Sequence, residues 1–252
     1  MNLKNKKLIV SRPYKVVYQD GDKIVKVFTK DHPKADVFNE ALCQARVEET
    51  GLNIPKVLEV TNIDGEWALI LEFAEGKTLA ELMAENAAGT DAYLEKFVDL
   101  QLEMHSKSAP RLTLQKDKLN RKISSLKDTL DATTRYELHT RLDSLPTHTK
   151  LCHGDFNPTN VIVGNDGTMS IIDWSHATQG NASADAAITY LQFALKDQTL
   201  ADKYLELFCK KSDTAKQYVQ KWLPIVAAAE LTKKNAQDRE FLMGWIDVFD
   251  YQ

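Results

Sequence analysis

"LCHGDFNPTNVIV", Leu151 to Val163, is the stretch on which the fold turns. A His-Gly-Asp triplet, a Pro and two Asn residues stand immediately before a β-branched run. A buried strand needs no such preface, whereas a site that holds a carboxylate and an amide in fixed relation does. Val161-Ile162-Val163 is followed by Gly164-Asn165-Asp166-Gly167 and then by Met169 to Ile172, which reads as a short hairpin. An antiparallel pair brings its open ends within about 5 Å of one another. Asn160 enters one strand and Asp173 leaves the other, so their side chains are expected to converge. An amide oxygen and a carboxylate oxygen are hard ligands suited to Mg2+. Asp155 lies on the loop feeding the hairpin, where a carboxylate could accept a proton from an attacking hydroxyl. For any one of these residues alone, the alternative is an ordinary polar turn.

Working outward, the chain changes character near residue 75. Before it, "YKVVY" and "KIVKVF" flank "QDGD", a strong hairpin signal. "ADVFNEALCQARVEETG" follows with apolar residues at helical spacing and Gly51 as a stop. "KVLEV" and "EWALILEF" are separated by the turn "TNIDG". The expected order is strand, strand, helix, strand, strand. Lys26 interrupts an apolar run, in register with Ile24 and Phe28. If that face is covered, its ammonium needs a carboxylate or phosphate partner; if not, it is a solvated strand lysine. After Gly76, "TLAELMAE", "DAYLEKFVDLQLEMHS", "KLNRKISSLKDTLD" and Ala182 to Leu195 read as helices, with Thr90-Asp91 as the expected cap for the second. Pro224 marks a helix start or kink in a helical tail.

A loop Asp, then Asn, then strand-end Asp is the order that protein kinases use for phosphoryl transfer. Here His153-Gly154-Asp155 and Ile171-Ile172-Asp173-Trp174 depart from the protein-kinase versions. "HGDFNPTNVIV" followed by "IIDWSHATQGNASAD" resembles the aminoglycoside phosphotransferase and choline-kinase-like family of small-molecule kinases. The resemblance implies an α+β, bilobal protein-kinase-like fold: a small antiparallel-sheet lobe with one helix over 1–74, a hinge at about 71–76, and a larger, mostly helical lobe over 75–252. It implies ATP or GTP as phosphoryl donor, with Mg2+, lying between the lobes, and a small hydroxyl-bearing molecule as acceptor: an aminoglycoside-like antibiotic, a choline-like compound or an amino sugar. Asp155 would then be the catalytic base or the orienter of the acceptor hydroxyl, Asn160 and Asp173 the magnesium ligands, and Asp185 a brace for the catalytic loop, with His153 supporting that loop. Lys26 would contact the nucleotide phosphates, with Glu40 as its helix partner in competition with Glu48 and Glu49. Backbone groups of Glu72 and Ala74 would bind the adenine edge. The Gly-rich phosphate loop expected of a kinase-like fold is absent, as it often is in this family: Ser11, Arg12 and Pro13 stand where glycines might be, so phosphate contacts would come from that turn's backbone or side chains. Glu230, Asp247 and Asp250 are either a lining for a cationic acceptor or a solvated helix face. Trp174 and His105 read as packing residues, and Cys152 as a small buried one.

Bulk properties agree with this class. The chain has 252 residues and is 43% hydrophobic, enough for a sizeable core in one domain or two small lobes. The formal charge of -4 counts against a nucleic-acid partner. No apolar run approaches a membrane span, and the start of the chain lacks the pattern of a signal peptide. Cys43, Cys152 and Cys209 lie far apart, as suits a reducing cytoplasm. Two other readings of the same chain are a nucleotide-binding regulatory module without turnover, and an interaction protein that kept only the fold.

Overall fold

The alternation of apolar and polar residues on either side of Asp20-Gly21-Asp22 is realised as the centre of a sheet. A computed structural model of the chain describes residues 6–233 and 235–246. In chain order the elements begin with β1 (Lys7–Ser11), β2 (Lys15–Asp20), β3 (Lys23–Phe28), α1 (Lys34–Glu48), β4 (Val57–Ile63), β5 (Glu66–Glu72), β6 (Lys77–Thr78) and α2 (Leu79–Glu85). They continue with α3 (Thr90–Ser106), α4 (Gln115–Ser125), α5 (Ala132–Ser144), β7 (Lys150–Cys152), β8 (Val161–Val163), β9 (Met169–Ile171) and β10 (Thr178–Gly180). The last helices are α6 (Ala182–Ala194), α7 (Gln198–Ser212), α8 (Lys216–Gln220), α9 (Leu223–Leu231) and α10 (Arg239–Gly244).

The elements form two compact units. One comprises the residues up to Asn86 together with Pro158–Ala177; the other comprises Ala87–Asn157 together with Thr178 onward. The hairpin of β8 and β9 therefore groups with the sheet rather than with the helices that flank it in sequence.

In the first unit the sheet order is β1-β2-β3-β5-β4, with every neighbour antiparallel. Phe28, Leu69 and Leu71 pack with Val37 and Ala41 of α1 on one face. Val25, Val27, Ile63, Ala68 and Ile70 cluster on the other. Lys26 thus lies on the covered, α1-facing side, and its ammonium requires a partner. Strand β1 was not foreseen. It is an edge strand whose Leu8 and Ile9 are exposed, so it is held by pairing with β2 and leaves no burial pattern to read.

The hairpin joins this unit through backbone pairing and side-chain contacts. β6 pairs with β8 and β8 with β9, the latter in the register Val161↔Ile171. The Asn53 amide donates to the Met169 carbonyl and to Ser170 Oγ, both at 2.9 Å. Gly76, at φ 142°, lies so close to β8 that a Cβ there would overlap the Val163 carbonyl.

In the second unit α6 is buried almost all round and α7 packs on it. Pro224 sits in the first turn of α9, a helix start rather than a kink. The expected cap at Thr90-Asp91 is replaced by Gly89, without a side-chain bond, because the short 3-10 turn Ala87–Gly89 leads straight into α3. Side-chain caps occur instead at Thr78, Asp131, Asn181 and Asp197. The run expected as one helix over 118–131 ends at Ser125, where Leu126 leaves helical geometry and Thr129 and Leu130 turn back onto its carbonyl.

Gly76→Ala should cost about 3 kcal/mol of unfolding free energy, because either the β6–β8 approach or the backbone angle must give way. Gly21→Ala, at φ 61° with open space around it, should cost only about 1 kcal/mol. Urea unfolding of the two variants, followed by tryptophan fluorescence, checks the contrast. Equal losses would refute the close approach at Gly76.

Candidate active site

The covered lysine finds its partner on the helix above it. Lys26 Nζ donates to Glu40 Oε1 at 2.7 Å and to Asp173 Oδ1 at 3.2 Å. Glu40 lies on the inner face of α1, whereas Glu48 accepts from the Val57 amide at 2.7 Å. Burial alone would push the Lys26 ammonium down, but the carboxylates of Asp173 and Glu40 outweigh it and hold its pKa above the ordinary value. Lys15, on β2, brings a second ammonium to 3.6 Å from Asp173 Oδ2. The strand alternation of Lys15, Val17, Ile24, Lys26 and Phe28 places both lysines on one face.

Asp173 follows β9 in the left-handed region at φ 65° and ψ 61°. Such a conformation in a non-glycine residue costs about 1–2 kcal/mol and gathers at functional positions. The Asn160 carbonyl accepts from the Ile172 amide at 2.9 Å, so the hairpin's pairing runs one step past β8 and brings Asn160 beside the residue preceding Asp173. Asn160 is buried at the end of the 3-10 turn Pro158–Asn160. An amide oxygen and a carboxylate oxygen suit Mg2+. Two ammoniums gathered at the same carboxylate suit an anionic ligand alongside the cation. At the end of β5, the Glu72 amide donates to the Lys56 carbonyl at 3.0 Å, and its carboxylate accepts from the Lys56 amide at 3.1 Å. Ala74 lines a cavity of about 390 Å³ together with Asn53, Ile162 and Ser170.

The second unit holds Asp155. Its Oδ1 accepts from Gln192 Nε2 at 2.6 Å and lies 3.0 Å from Lys233 Nζ. Lys233 also pairs with Glu230 at 2.6 Å, and Lys122 approaches Glu230 at 3.6 Å. Burial works to lower the Lys233 pKa, but Glu230 and Asp155 together raise it. Burial lowers that of Lys122, and Glu230 offsets only part of the loss. Glu230 is therefore a buried ion-pair partner rather than a solvated face residue; Asp247 and Asp250 lie outside the described residues.

The loop carrying Asp155 is fixed from below. Asp185 is fully buried at the start of α6 and accepts from the Gly154 amide at 2.7 Å and the His153 amide at 3.3 Å. His105 Nε2 lies 2.9 Å from the same carboxylate. Burial raises the Asp185 pKa, yet the His105 contact and the Gly154 amide carry it below the usual carboxylate range. His153 Nδ1 accepts from the Asp155 amide at 3.2 Å, which holds the backbone turn at Gly154. Cys152 also lies near His105 and Asp185. Burial pushes its thiol up, and the Asp185 carboxylate is engaged by His105 and by the loop amides. Trp174 is buried and donates to the Ile171 carbonyl at 3.0 Å, a packing role.

The structure thus brings Lys26, Glu40 and Asp173 together and holds Asp155 on a separate, braced loop. Sequence reasoning missed Lys15, Gln192, Lys233 and Lys122. Lys15 was within reach, since it stands two residues from Val17 in the same alternation as Lys26. Gln192 and Lys122 sit on helices distant in sequence and Lys233 on the turn after α9, where no local pattern marks them.

No curated protein sequence matches the chain. Solved structures do. An aminoglycoside phosphotransferase APH(4)-Ia mutant, in ternary complex with AMP-PNP and hygromycin B, superposes with a TM-score of 0.71 at 16% identity, covering 97% of this chain and 92% of that one. Choline kinase LicA from Streptococcus pneumoniae gives 0.65 at 14% identity, over 95% of this chain and 94% of its own. ADP-bound APH(2'')-Ib gives 0.60 at 17% identity, over 96% and 90%. These likenesses establish the α+β protein-kinase-like fold. A family model described as the phosphotransferase enzyme family matches residues 10–218. With more than four-fifths of its length matched, the chain belongs to the phosphotransferase enzyme family.

Proposed function

We propose that this phosphotransferase moves the γ-phosphoryl group of ATP or GTP, with Mg2+, to a hydroxyl of a small molecule. The observation that carries the reading is the Asp173 carboxylate, left-handed and partly exposed, gripped by a lysine whose dedicated helix partner is Glu40. That grip places a cation, a hard oxygen donor and a positioning carboxylate in one cluster, the parts phosphoryl transfer needs. Lys26 contacts the phosphate chain and Glu40 orients it. Asn160 and Asp173 hold the magnesium, which when bound neutralises phosphate charge. The Glu72 amide is committed to Lys56, so Glu72 offers its carbonyl to the adenine edge and Ala74 its amide.

Asp155 takes the proton of the acceptor hydroxyl. Gln192 holds its Oδ1, and Asp185 holds the loop beneath it. Lys233 shares that oxygen, so an incoming hydroxyl either displaces the lysine or uses the second oxygen. The acceptor belongs to the class of aminoglycoside-like antibiotics, choline-like compounds and amino sugars, as the hygromycin B complex of APH(4)-Ia and the name of LicA suggest by analogy of fold. Because the transition state is loose, positioning and charge neutralisation carry most of the catalysis.

A screen of small hydroxyl compounds with ATP and GTP, read by nucleoside diphosphate release, tests the activity. Mg-ATP binding with no acceptor-dependent turnover would favour the regulatory-module reading instead. Asp155→Asn should lower kcat by about 10²- to 10⁴-fold. It should leave Mg-ATP affinity, measured by calorimetry, near the wild-type value. Asp173→Ala should weaken Mg-ATP binding itself by at least about tenfold, roughly one lost charge-assisted contact. Normal turnover in both variants would overturn the assignment of roles.

A further inference from the structure

The turn between β1 and β2 stands where a glycine-rich loop would offer backbone amides to phosphate, yet two of its residues have no free amide hydrogen to offer. The Arg12 amide donates to the Lys15 carbonyl at 2.8 Å, and Pro13 has no amide hydrogen to give. The first residue after this turn is Lys15. It is buried on the α1-facing side of the sheet, its ammonium 3.6 Å from Asp173 Oδ2. Lys15 pairs across the ladder with Phe28, and Val17 pairs with Lys26, so the two lysines are diagonal neighbours on one face.

We propose that Lys15 is a second phosphate-binding residue, whose side chain replaces the backbone amides of a glycine-rich loop and grips the polyphosphate of the donor. The inference rests on the reading of Asp173 as a magnesium ligand. Without a ligand, two ammoniums, Lys15 and Lys26, face two carboxylates, Glu40 and Asp173, and the charges balance. Lys26 keeps Glu40 whatever Asp173 does. Lys15 shares Asp173 alone among the ion pairs of the described residues. Once Asp173 turns its oxygens to a divalent cation, the cluster gains positive charge and Lys15 loses its counter-ion. A buried ammonium does not stay unpaired, and phosphate oxygens drawn in with the cation are the anion that restores the balance. A lysine acts there as a point charge and needs no precise fork geometry, which suits a site with no fixed amide cradle.

The test compares Lys15→Met, Lys15→Arg and Lys23→Met, the last an exposed lysine of the same sheet giving the same change of net charge. Calorimetry with Mg-ATP, with adenosine and with inorganic tripolyphosphate separates phosphate contacts from base contacts. Lys15→Met should weaken Mg-ATP and tripolyphosphate binding by about tenfold or more and leave adenosine binding unchanged. Lys15→Arg should recover part of the loss, and Lys23→Met should match the wild type. Thermal unfolding guards against misfolding, because a purely structural lysine would lower the melting temperature of the free protein and leave the ratio of ATP to adenosine affinity where it was. That result, or wild-type polyphosphate binding in Lys15→Met, overturns the inference. Tripolyphosphate binding that depends on Lys15 in a protein that does not bind Mg-ATP would instead uphold it and remove the nucleotide reading.

Discussion

A buried ammonium is the constraint around which the first unit is organised. Lys26 sits on the covered face of the central strand, between Ile24 and Phe28, where water cannot solvate its charge. Two carboxylates from elements far apart in sequence solvate it instead, Glu40 from α1 and Asp173 from the end of the hairpin. Breaking a buried pair by removing one partner costs about 3–5 kcal/mol. The position of α1 over the sheet and the return of the hairpin to the same face are therefore linked through one nitrogen. The left-handed backbone at Asp173 is part of that link, since it aims the carboxylate at the cations.

The second unit solves the opposite problem with the same means. Asp185 is a fully buried carboxylate, and it is tolerated because backbone amides of His153 and Gly154 and the ring of His105 surround it. Its charge is spent on holding a loop rather than on chemistry. Asp155, two residues beyond His153, is only partly buried and takes side-chain partners from α6 and from beyond α9. A rigid base under a more accessible acid is the arrangement expected of a group that must meet a substrate in a defined orientation.

Legibility in the sequence followed the range of the interaction. Hairpin turns such as Asp64-Gly65, with both residues at positive φ, were readable because the conformational demand is local. The helices α1, α3 and α6 were readable from spacing. Strand β1 was not, because an edge strand is stabilised by backbone pairing that any residues can supply. The long run after Lys118 was read as one helix because its apolar spacing persists through Leu126 and Leu130, although the backbone closes at Ser125. The cap of α3 failed for a related reason: a preceding 3-10 turn removed the place where Thr90 would have capped.

Residue types and their spacing were enough to nominate Asp155, Asn160 and Asp173, since these sit on one loop and one hairpin whose geometry is dictated by neighbours in the chain. They were also enough to say that Lys26 required an anion if its strand face were covered. Whether that face was covered, which of three glutamates answered the lysine, and that Lys15 reached the same carboxylate depended on how α1 and the hairpin pack on the sheet. The same holds for Lys233 and Gln192 at Asp155. Local backbone preferences reach only a few residues along the chain, whereas the pairing of buried charges is settled by the three-dimensional arrangement that decides which groups lose their water.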